Sequence, residues 1–524
     1  MNLNMNMPKQ LRAGLLFPIA FSIFTMLVYI LMSYGGIRSP DNEVVFRTTE
    51  AIATQGTFAV TEEISWKGFG LTKGTDGKLY SLFGPAEAIA AAPFYGLARL
   101  VNNTEWYERS PKSVPVSHYV GSGVIEYAKG ETPEDLASHA LRTVTCLFNP
   151  FVSSICVFVF YLLIRALTQS ELSARLTTIL FAFGTLMLPY SGTFFSEPLA
   201  TFFVMLSLHF LINNSVSSDP LSSKHAVNIT AAGLSLGLAT ATHLTAILYV
   251  PFYCVYAVHS LRNDSKLSAR RIAVVSGFFI VGLCLILMLL AFYNHLRFGS
   301  VFETGRSAQA GATQRYGSWV TPWRGLWALL ISSGKGLLFY CPAILLSIVT
   351  WKHFHSRHRL LSTIILSAAA LRILFIASRS DWHGGFCLGP RYMVMLVPLL
   401  TLPIGEFINK CGKRGNAKSL WAVALCTLVC IAQQLYFSLG EIFLFLHNFK
   451  WQATRKGIDI FEDNLLYLNW QFSPLIYLLE GRRAPFSLTS IPVNNYVLWS
   501  GMVLCAGVML FIAYDRLLRK HLRK

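Results

Sequence analysis

Charged residues are scarce in this chain of 524 residues. Asp, Glu, Lys and Arg together make up 13% of the sequence, about half the share that a water-soluble protein of this length carries. Hydrophobic residues make up 53%, and the mean hydropathy is +0.48. The composition therefore excludes an ordinary soluble domain and indicates an integral membrane protein.

Acidic residues are scarcer still, with 26 Asp and Glu against 44 Lys and Arg, which gives a formal net charge of +18. Such an excess is also typical of nucleic-acid-binding proteins, which concentrate it in a basic stripe. Here the basic residues are scattered in short segments between apolar runs of roughly 17–25 residues, the length that spans a bilayer. The charge pattern therefore orients a membrane protein and does not indicate nucleic acid.

Several other signals are missing. Of ten cysteines, only Cys387 sits clearly in a predicted outer loop, so no disulfide framework is implied. The sequence shows no internal repeat between its halves and no low-complexity linker. We therefore treat residues 1–524 as a single membrane domain with elaborated outer loops.

The apolar runs predict an all-α polytopic membrane protein with about 12 transmembrane helices. They lie near Leu15–Tyr34, Leu141–Ile164, Leu176–Tyr190, Pro198–Ile212, Ile229–Thr242, Leu244–Ser260, Ile272–Tyr293, Leu337–Val349, Leu360–Ser378, Tyr392–Ile408, Leu420–Leu439 and Tyr496–Tyr514. The first run is too long for a typical signal-peptide core and is interpreted as a retained anchor.

The basic residues predict the orientation of these spans. An even number of spans puts both termini on one side, and a cytoplasmic N-terminus places the Lys and Arg excess on the short inner loops. This arrangement predicts a multi-pass protein of the bacterial inner membrane with both termini in the cytoplasm. Residues 35–139 then form a long first extracytoplasmic loop, and residues 440–495 form the last large one.

One mildly apolar stretch, Tyr80–Val101, could be counted as a further span and would invert the topology after it. Pro85, Glu87 and Pro93 are costly in a lipid-exposed helix. We therefore predict an interfacial amphipathic helix for this stretch.

The first candidate site residue is Asp41, which follows the first apolar run. Ser39 or Asp41 can cap a helix that ends near Gly56, and Pro40 suits its first turn. A carboxylate at a helix N-terminus is stabilised as the anion. Asp41 is therefore expected to be ionised and able to accept a proton, although a solvated loop charge is the simpler interpretation.

A second carboxylate, Glu197, lies at the predicted outer end of the fourth span, just before Pro198. It could orient a sugar hydroxyl or simply favour the helix dipole, and the sequence leaves both open. His243 lies at the turn between the fifth and sixth spans, where a lone histidine is more often a satisfied core residue than a ligand.

The third candidate is Lys335, which lies among glycines and serines before the eighth span. Backbone N–H groups and an ammonium can meet one phosphate there. The segment lacks the Gly-x-x-x-x-Gly-Lys-Ser/Thr spacing of a Walker loop. An interfacial lysine with its ammonium in water is the alternative.

The densest polar segment connects the ninth and tenth spans. Arginine beside glycine can grip a phosphate while the backbone approaches closely. A tight turn with interfacial aromatic residues explains the Trp and Tyr here but explains the two arginines less easily. Arg372, inside the ninth span, is expensive in lipid and is expected to face protein or a cavity. The segment contains Arg379, Asp381, Trp382, His383, Gly384, Gly385, Gly389, Arg391 and Tyr392.

A carboxylate base near several cations fits transfer from a lipid-phosphate donor, because the acceptor hydroxyl needs a base and the departing phosphate needs positive charge. The order of three segments resembles GT-C class glycosyltransferases that use polyprenyl-phosphate sugars, including protein O-mannosyltransferases and lipid A aminoarabinose transferases. The resemblance runs from about Leu15 to Pro398. Its segments are Pro40–Gly56 with Leu79–Tyr95, Ser333–Pro342 and Trp382–Tyr392.

The resemblance implies an inverting transfer in which Asp41 deprotonates the acceptor. Members of the class often have adjacent Asp and Glu, whereas here Asn42 separates Asp41 from Glu43. The implied donor-phosphate ligands are Arg391, Lys335 and Arg379. The predicted sugar or acceptor contacts are Glu43, Glu197, Tyr80, Trp382, His383 and His243. A monophosphate leaving group beside side-chain cations does not require a cofactor or a metal. A divalent metal bound by Glu43 or Glu87 is left open.

The expected partners are a polyprenyl-phosphate sugar, an envelope lipid, glycan or protein acceptor, and the bilayer. A multi-span transporter or flippase is the competing class, but such carriers usually show paired half-repeats and discontinuous helices near the midplane. An O-antigen ligase or polymerase with a diphosphate-linked donor is the nearest enzymatic alternative. A binding or assembly protein is the third. The sequence names neither the sugar nor the acceptor.

Overall fold

The computed structural model describes residues 9–33, 36–37, 39–60, 70–102, 115–120, 124–129, 141–214, 223–262, 269–306, 318–385, 387–440, 455–457, 465–470 and 473–477. Most of these residues are helical. The helices are α1 (Lys9–Leu31), α2 (Pro40–Gln55), α3 (Pro85–Asn102), α4 (Phe148–Thr168), α5 (Glu171–Phe183), α6 (Met187–Ser191), α7 (Glu197–Asn214), α8 (Ser223–Thr242), α9 (Val250–Arg262), α10 (Ala269–Phe298), α11 (Pro322–Ile331), α12 (Leu337–Tyr340), α13 (Ala343–Arg357), α14 (Arg359–Ala377), α15 (Val397–Lys413), α16 (Ala417–Leu439), α17 (Leu465–Leu468) and α18 (Pro474–Tyr477). Two 3₁₀ turns, Leu244–Tyr249 and Arg391–Leu396, lead into α9 and α15.

Long apolar helices dominate the described part of the chain, which confirms the predicted all-α polytopic membrane fold. Five segments are long and apolar enough to cross a membrane by length and composition: Leu141–Thr168, Ile272–Phe298, Arg359–Ala377, Arg391–Lys413 and Ala417–Leu439. Three shorter apolar helices are Leu16–Leu31, Glu197–Asn213 and Leu244–His259. The total of about 12 spans stays a prediction, and Tyr496–Tyr514 lies outside the described residues.

Two predicted spans are broken helices. Leu176–Tyr190 divides into the end of α5 and the short α6, with Gly184 at the end of α5. Leu337–Val349 divides into α12 and α13 around Pro342. Proline lacks a backbone N–H and cannot continue the hydrogen bonding of the preceding turn, which explains the second break.

Close helix packing depends on small residues. A Cβ added at Gly233 of α8 would lie 2.1 Å from the carbonyl oxygen of Phe279 in α10. A Cβ at Gly282 of α10 would lie 2.3 Å from the carbonyl oxygen of Thr230. The two backbones therefore touch, which is how helices without a hydrophobic driving force between them associate in a membrane.

The predicted first outer loop contains a small antiparallel sheet as well as helices. Strands β1 (Ala59–Val60), β2 (Leu71–Lys73) and β3 (Leu79–Ser81) lie in the order β1-β3-β2, with Val60 opposite Leu79 and Leu71 opposite Ser81. A separate hairpin pairs β4 (Pro115–Val120) with β5 (Val124–Lys129).

The sheet corrects the predicted helix over Tyr80–Val101, because Tyr80 lies in β3 and the helix begins at Pro85. Gly84 marks the change: a Cβ there would lie 2.1 Å from the carbonyl oxygen of Ala241. Only glycine allows this approach, and proline then suits the first helical turn. The α3 helix is amphipathic, as predicted, with Ala91 and Ala98 buried and Ile89, Leu97 and Leu100 exposed.

Candidate active site

A cavity of about 270 Å³ lies where the ends of several helices meet. Its walls come from the starts of α2, α3 and α7, the ends of α8, α10 and α14, and both 3₁₀ turns. The predicted topology places all of these ends on the extracytoplasmic face. Of the residues predicted from the sequence, the cavity brings together Asp41, Glu197, His243, Arg379 and Arg391.

Asp41 and Arg391 form an ion pair on the cavity wall. Asp41 Oδ2 lies 2.6 Å from Arg391 Nη1, and the two side chains are 15% and 10% exposed. Arg391 Nε lies 3.6 Å from Glu197 Oε1. The guanidinium also faces the rings of Phe195 and Tyr392, at 4.7 and 5.0 Å. Arg391 therefore holds two carboxylates on one side of a partly apolar wall.

The position of Asp41 follows from the start of α2. Ser39 precedes the helix in an extended conformation, and Pro40 occupies the first turn, as predicted. The predicted cap bond is not made by the Ser39 side chain; the Ser39 carbonyl accepts from the backbone N–H of Glu43. The helix ends at Gly56, whose φ of 65° favours glycine.

Glu43 points away from the cavity and clamps α2 to the start of the next membrane segment. Arg142 donates from Nε to Glu43 Oε2 at 3.0 Å and from Nη2 to Oε1 at 2.5 Å. Arg47 donates to Glu43 Oε1 at 3.0 Å. Burial alone raises the pKa of the Glu43 carboxyl, but the two arginines outweigh it and lower the pKa from 4.5. Glu43 is therefore not among the cavity-lining residues, and its ion pair with Arg142 fixes the helix that carries Asp41.

We expect Glu43→Gln to destabilise the protein by about 3 kcal/mol, because it removes the charge that compensates a buried arginine. Since the folded-state pKa is lowered, the stability from this carboxylate is present above about pH 4.5 and is lost as the pH falls through the folded value. Melting temperatures of the wild type and of Glu43→Gln in detergent, measured from about pH 3 to about pH 7, give the loss of stability and its pH dependence. Glu50→Gln is the control: its partly exposed pair with Arg47 should contribute about 1 kcal/mol or less.

The Glu197 side of the cavity is built on the first 3₁₀ turn. His243 Nε2 lies 3.9 Å from Glu197 Oε1, while His243 Nδ1 lies 2.8 Å from the Thr245 hydroxyl. Arg372 is fully buried and donates to Thr245 Oγ1 at 2.9 Å and to the Tyr392 carbonyl at 2.8 Å. The sequence assigned no role to Arg372. In the structure its hydrogen bonds connect the 3₁₀ turn next to His243 with the 3₁₀ turn that contains Arg391.

Arg379 and Asp381 form a bidentate pair on another part of the wall. Arg379 donates from Nε and Nη2 to the two Asp381 oxygens at 2.8 and 2.9 Å. Burial raises the pKa of Asp381, but Arg379 and then Arg306 outweigh it and lower that pKa from 3.8. Arg379 thus faces the cavity with its charge already matched by a carboxylate.

Lys335 has different partners from those that the sequence predicts. Its side chain is buried, and Nζ donates to the carbonyls of Gly385 and Cys387 at 3.1 and 2.8 Å. Burial lowers the pKa of this ammonium. Lys335 is not among the cavity-lining residues of the described chain. It fixes the glycine-rich segment that leads to Arg391.

Three further predicted contacts lie outside the cavity wall. His383 stacks on Tyr467 with ring centroids 4.9 Å apart, and burial followed by Lys335 lowers its pKa to about 3. Trp382 packs edge-on against the same Tyr467 ring. Tyr80 donates its hydroxyl to Asp76 at 2.8 Å. In this structure these three side chains support the loops around the site.

Sequence reasoning missed Asn294, Arg297 and Arg306, which also line the cavity. Arg297 follows an apolar run, and in the sequence it looks like any other basic residue at the end of a membrane span. Arg306 directly follows Gly305, and a Gly-Arg dipeptide of this kind is common in ordinary loops. Their position could be found only from the packing of α10 against the first loop.

The described residues contain no group of three or more His, Cys, Asp or Glu side chains with metal-site geometry. The sequence left open a divalent metal on Glu43 or Glu87. The Glu43 carboxylate forms ion pairs with Arg47 and Arg142. Glu87 is fully buried, and both its oxygens lack hydrogen-bond partners in the described structure. Burial, with Glu197 nearby, raises the pKa of Glu87, which favours its neutral form.

Part of the chain matches a known enzyme family. The model of the dolichyl-phosphate-mannose-protein mannosyltransferase family matches residues 127–298. Residues 127–298 are therefore similar to a family of glycosyltransferases. The matched segment is about a third of the chain and includes Glu197 and His243 of the cavity. The predicted resemblance to GT-C glycosyltransferases is confirmed.

The solved structures to which this chain is similar share little sequence with it. The structure of ArnT from Cupriavidus metallidurans bound to undecaprenyl phosphate is 13% identical, with a TM-score of 0.47, covering 86% of this chain and 74% of that chain. The Archaeoglobus fulgidus oligosaccharyltransferase in its apo form is 12% identical, with a TM-score of 0.47 and coverages of 81% and 56%. The Saccharomyces cerevisiae Pmt1-Pmt2 O-mannosyltransferase complex bound to the sugar donor is 15% identical, with a TM-score of 0.37 and coverages of 61% and 36%. No curated protein sequence matches the chain.

Proposed function

We propose that this glycosyltransferase moves a sugar from a polyprenyl-phosphate donor to a hydroxyl acceptor at the extracytoplasmic membrane face, with inversion and with Asp41 as the base. The observation that carries the proposal is the Asp41–Arg391 pair on one cavity wall, with 2.6 Å between its charged atoms. A proton acceptor and a phosphate ligand are the two groups that this transfer needs side by side.

In the proposed reaction, the donor phosphate attracts Arg391 and thereby releases Asp41 from the ion pair. Asp41 accepts the proton of the acceptor hydroxyl, whose oxygen attacks the anomeric carbon from the face opposite the phosphate. The bond between that carbon and the phosphate oxygen breaks, and its electron pair stays on the leaving polyprenyl phosphate. Arg391 compensates the negative charge that develops there.

An apolar wall supports a lipid-linked donor. Leu244 and Ile247 line the cavity, and their side chains are 44% and 42% exposed. Both lie on the 3₁₀ turn that leads into α9. A polyprenyl chain can lie against these side chains while its phosphate enters the cavity. That the ArnT structure was solved with undecaprenyl phosphate and the Pmt1-Pmt2 complex with its sugar donor agrees with this proposal.

The proposal is tested with purified protein, a radiolabelled polyprenyl-phosphate sugar and separate lipid, glycan and peptide acceptors. We expect transfer of the label together with release of polyprenyl phosphate. Transfer only from a diphosphate-linked donor would instead indicate a ligase or polymerase. Uptake of an unmodified solute into proteoliposomes without any transfer would indicate a carrier and overturn the proposal.

A further inference from the structure

The charges that line the cavity are unevenly matched. Three carboxylates and four arginines contribute to the wall. Arg391 lies close to Asp41 and Glu197, and Arg379 holds Asp381. The two arginines that the sequence predicts as phosphate ligands therefore already have anionic partners. A phosphate that enters this cavity needs positive charge that is still available.

Arg297 supplies one such charge. It is 4% exposed and lines the cavity near the end of α10. Its Nη1 donates to the Ser81 carbonyl at 2.7 Å, and its Nη2 donates to Asn294 Oδ1 at 2.8 Å. Its Nε is buried without a hydrogen-bond partner in the described structure, where no carboxylate lies within ion-pair distance. A buried guanidinium with only neutral partners is costly, so an anion in the cavity would stabilise it.

Arg306 supplies the second charge, at the exposed edge of the same cavity. The turn before it is built tightly against the cavity wall. Gly305 has a φ of 84°, and a Cβ there would lie 2.6 Å from Leu82 and 2.8 Å from the Phe298 ring. The Gly305 N–H donates to Glu303 Oε1 at 2.6 Å. In the part of the chain that the structure describes, Arg306 makes no direct ion pair; it acts on Asp381 only at longer range, and Asp381 is already paired with Arg379.

We propose that Arg297 and Arg306 form an oxyanion site that receives the phosphate of the polyprenyl donor beside Arg391. This inference rests on the proposed function and adds the residues that bind its donor. A donor phosphodiester carries one negative charge, which equals the excess of arginines over carboxylates on the wall. When the sugar leaves, the phosphate gains a second negative charge, and a buried arginine stabilises it more strongly than a solvated one.

Arg297 also has a structural role, because it joins β3 to α10 through Ser81. The exposed Arg306 has no such contact in the described structure, so its replacement separates ligand binding from folding. Arg306→Ala and Arg306→Lys are therefore the primary variants, and Arg297→Lys keeps the charge while removing the planar guanidinium. Arg414→Ala, an exposed arginine outside the cavity, is the matched control.

The experiment measures binding of radiolabelled undecaprenyl phosphate, and of undecaprenol as the lipid without phosphate, to full-length protein in detergent. We expect Arg306→Ala and Arg297→Lys to weaken undecaprenyl phosphate binding about tenfold each. Arg306→Lys should recover most of the affinity, and Arg414→Ala should equal the wild type. Undecaprenol binding should not change in any variant that retains the wild-type melting temperature.

Unchanged undecaprenyl phosphate affinity in Arg306→Ala, with binding lost in Arg391→Ala, would overturn the inference and leave the proposed function intact. The same holds if Arg306→Ala raises only the KM for the acceptor, because the cation then serves the acceptor. Failure of the wild-type protein to bind undecaprenyl phosphate would reject the proposed function itself.

Discussion

Asp41→Asn is expected to lower the rate of sugar transfer by about 100- to 10,000-fold, the usual contribution of a positioned general base. The amide is nearly the same size and keeps the first turn of α2, but it cannot accept the acceptor proton. Donor binding should be equal to that of the wild type or tighter, because Arg391 loses its closest carboxylate partner, at 2.6 Å. The measurement is a time course of label transfer at saturating donor and acceptor.

A matched variant separates loss of the base from loss of structure. Asn42→Ala changes the next residue, which also lines the cavity but carries no charge. It should retain transfer within about tenfold of the wild type. If Asp41→Asn transfers sugar at the wild-type rate, Asp41 is not the base, whatever the donor affinity.

Arg391→Ala is expected to have two large effects. It leaves the carboxylates of Asp41 and Glu197, which are 15% and 2% exposed, without their shared guanidinium. Removing one partner of a buried ion pair costs about 3–5 kcal/mol. It should also weaken undecaprenyl phosphate binding, which Asp41→Asn is not expected to do, because a phosphate ligand is lost and two negative charges remain.

Arg391→Lys distinguishes these effects. Lysine keeps the charge but cannot face Asp41 and Glu197 from one planar group, so stability should recover more than donor affinity. Melting temperature and equilibrium binding of undecaprenyl phosphate, measured on the same preparations, give both quantities. Wild-type donor affinity in a stable Arg391→Ala protein would remove Arg391 from the phosphate site.

Local sequence signals predicted the elements that carry the site. Ser39, Pro40 and Gly56 bracket α2 because an extended residue, a proline and a left-handed glycine suit the two ends of a helix. The apolar runs located the long helices, since a helix in lipid must present apolar side chains along its length. The break at Pro342 and the strand containing Tyr80 were not predicted. The proline is a local signal that apolar run length does not register, whereas the strand depends on its pairing with β2 in the folded chain.

The contacts that the charged side chains make were the least predictable feature of the candidate site. Lys335 directly follows a glycine and Arg391 lies two residues after one, yet the Lys335 ammonium binds buried carbonyls whereas the Arg391 side chain faces the cavity. Glu43 lies two positions after Asp41 on the same helix. The roughly 100° turn per residue points these carboxylates in different directions, so only Asp41 reaches the cavity.

The sequence by itself determined that this chain is a membrane protein, and it located the apolar helices and the carboxylates and arginines near their ends. Composition and apolar run length suffice for that, because the bilayer imposes the same constraint on every span. Only the tertiary structure decided which charges meet. Ion pairing depends on separations of a few ångströms between segments as distant in sequence as Asp41, Arg297 and Arg391.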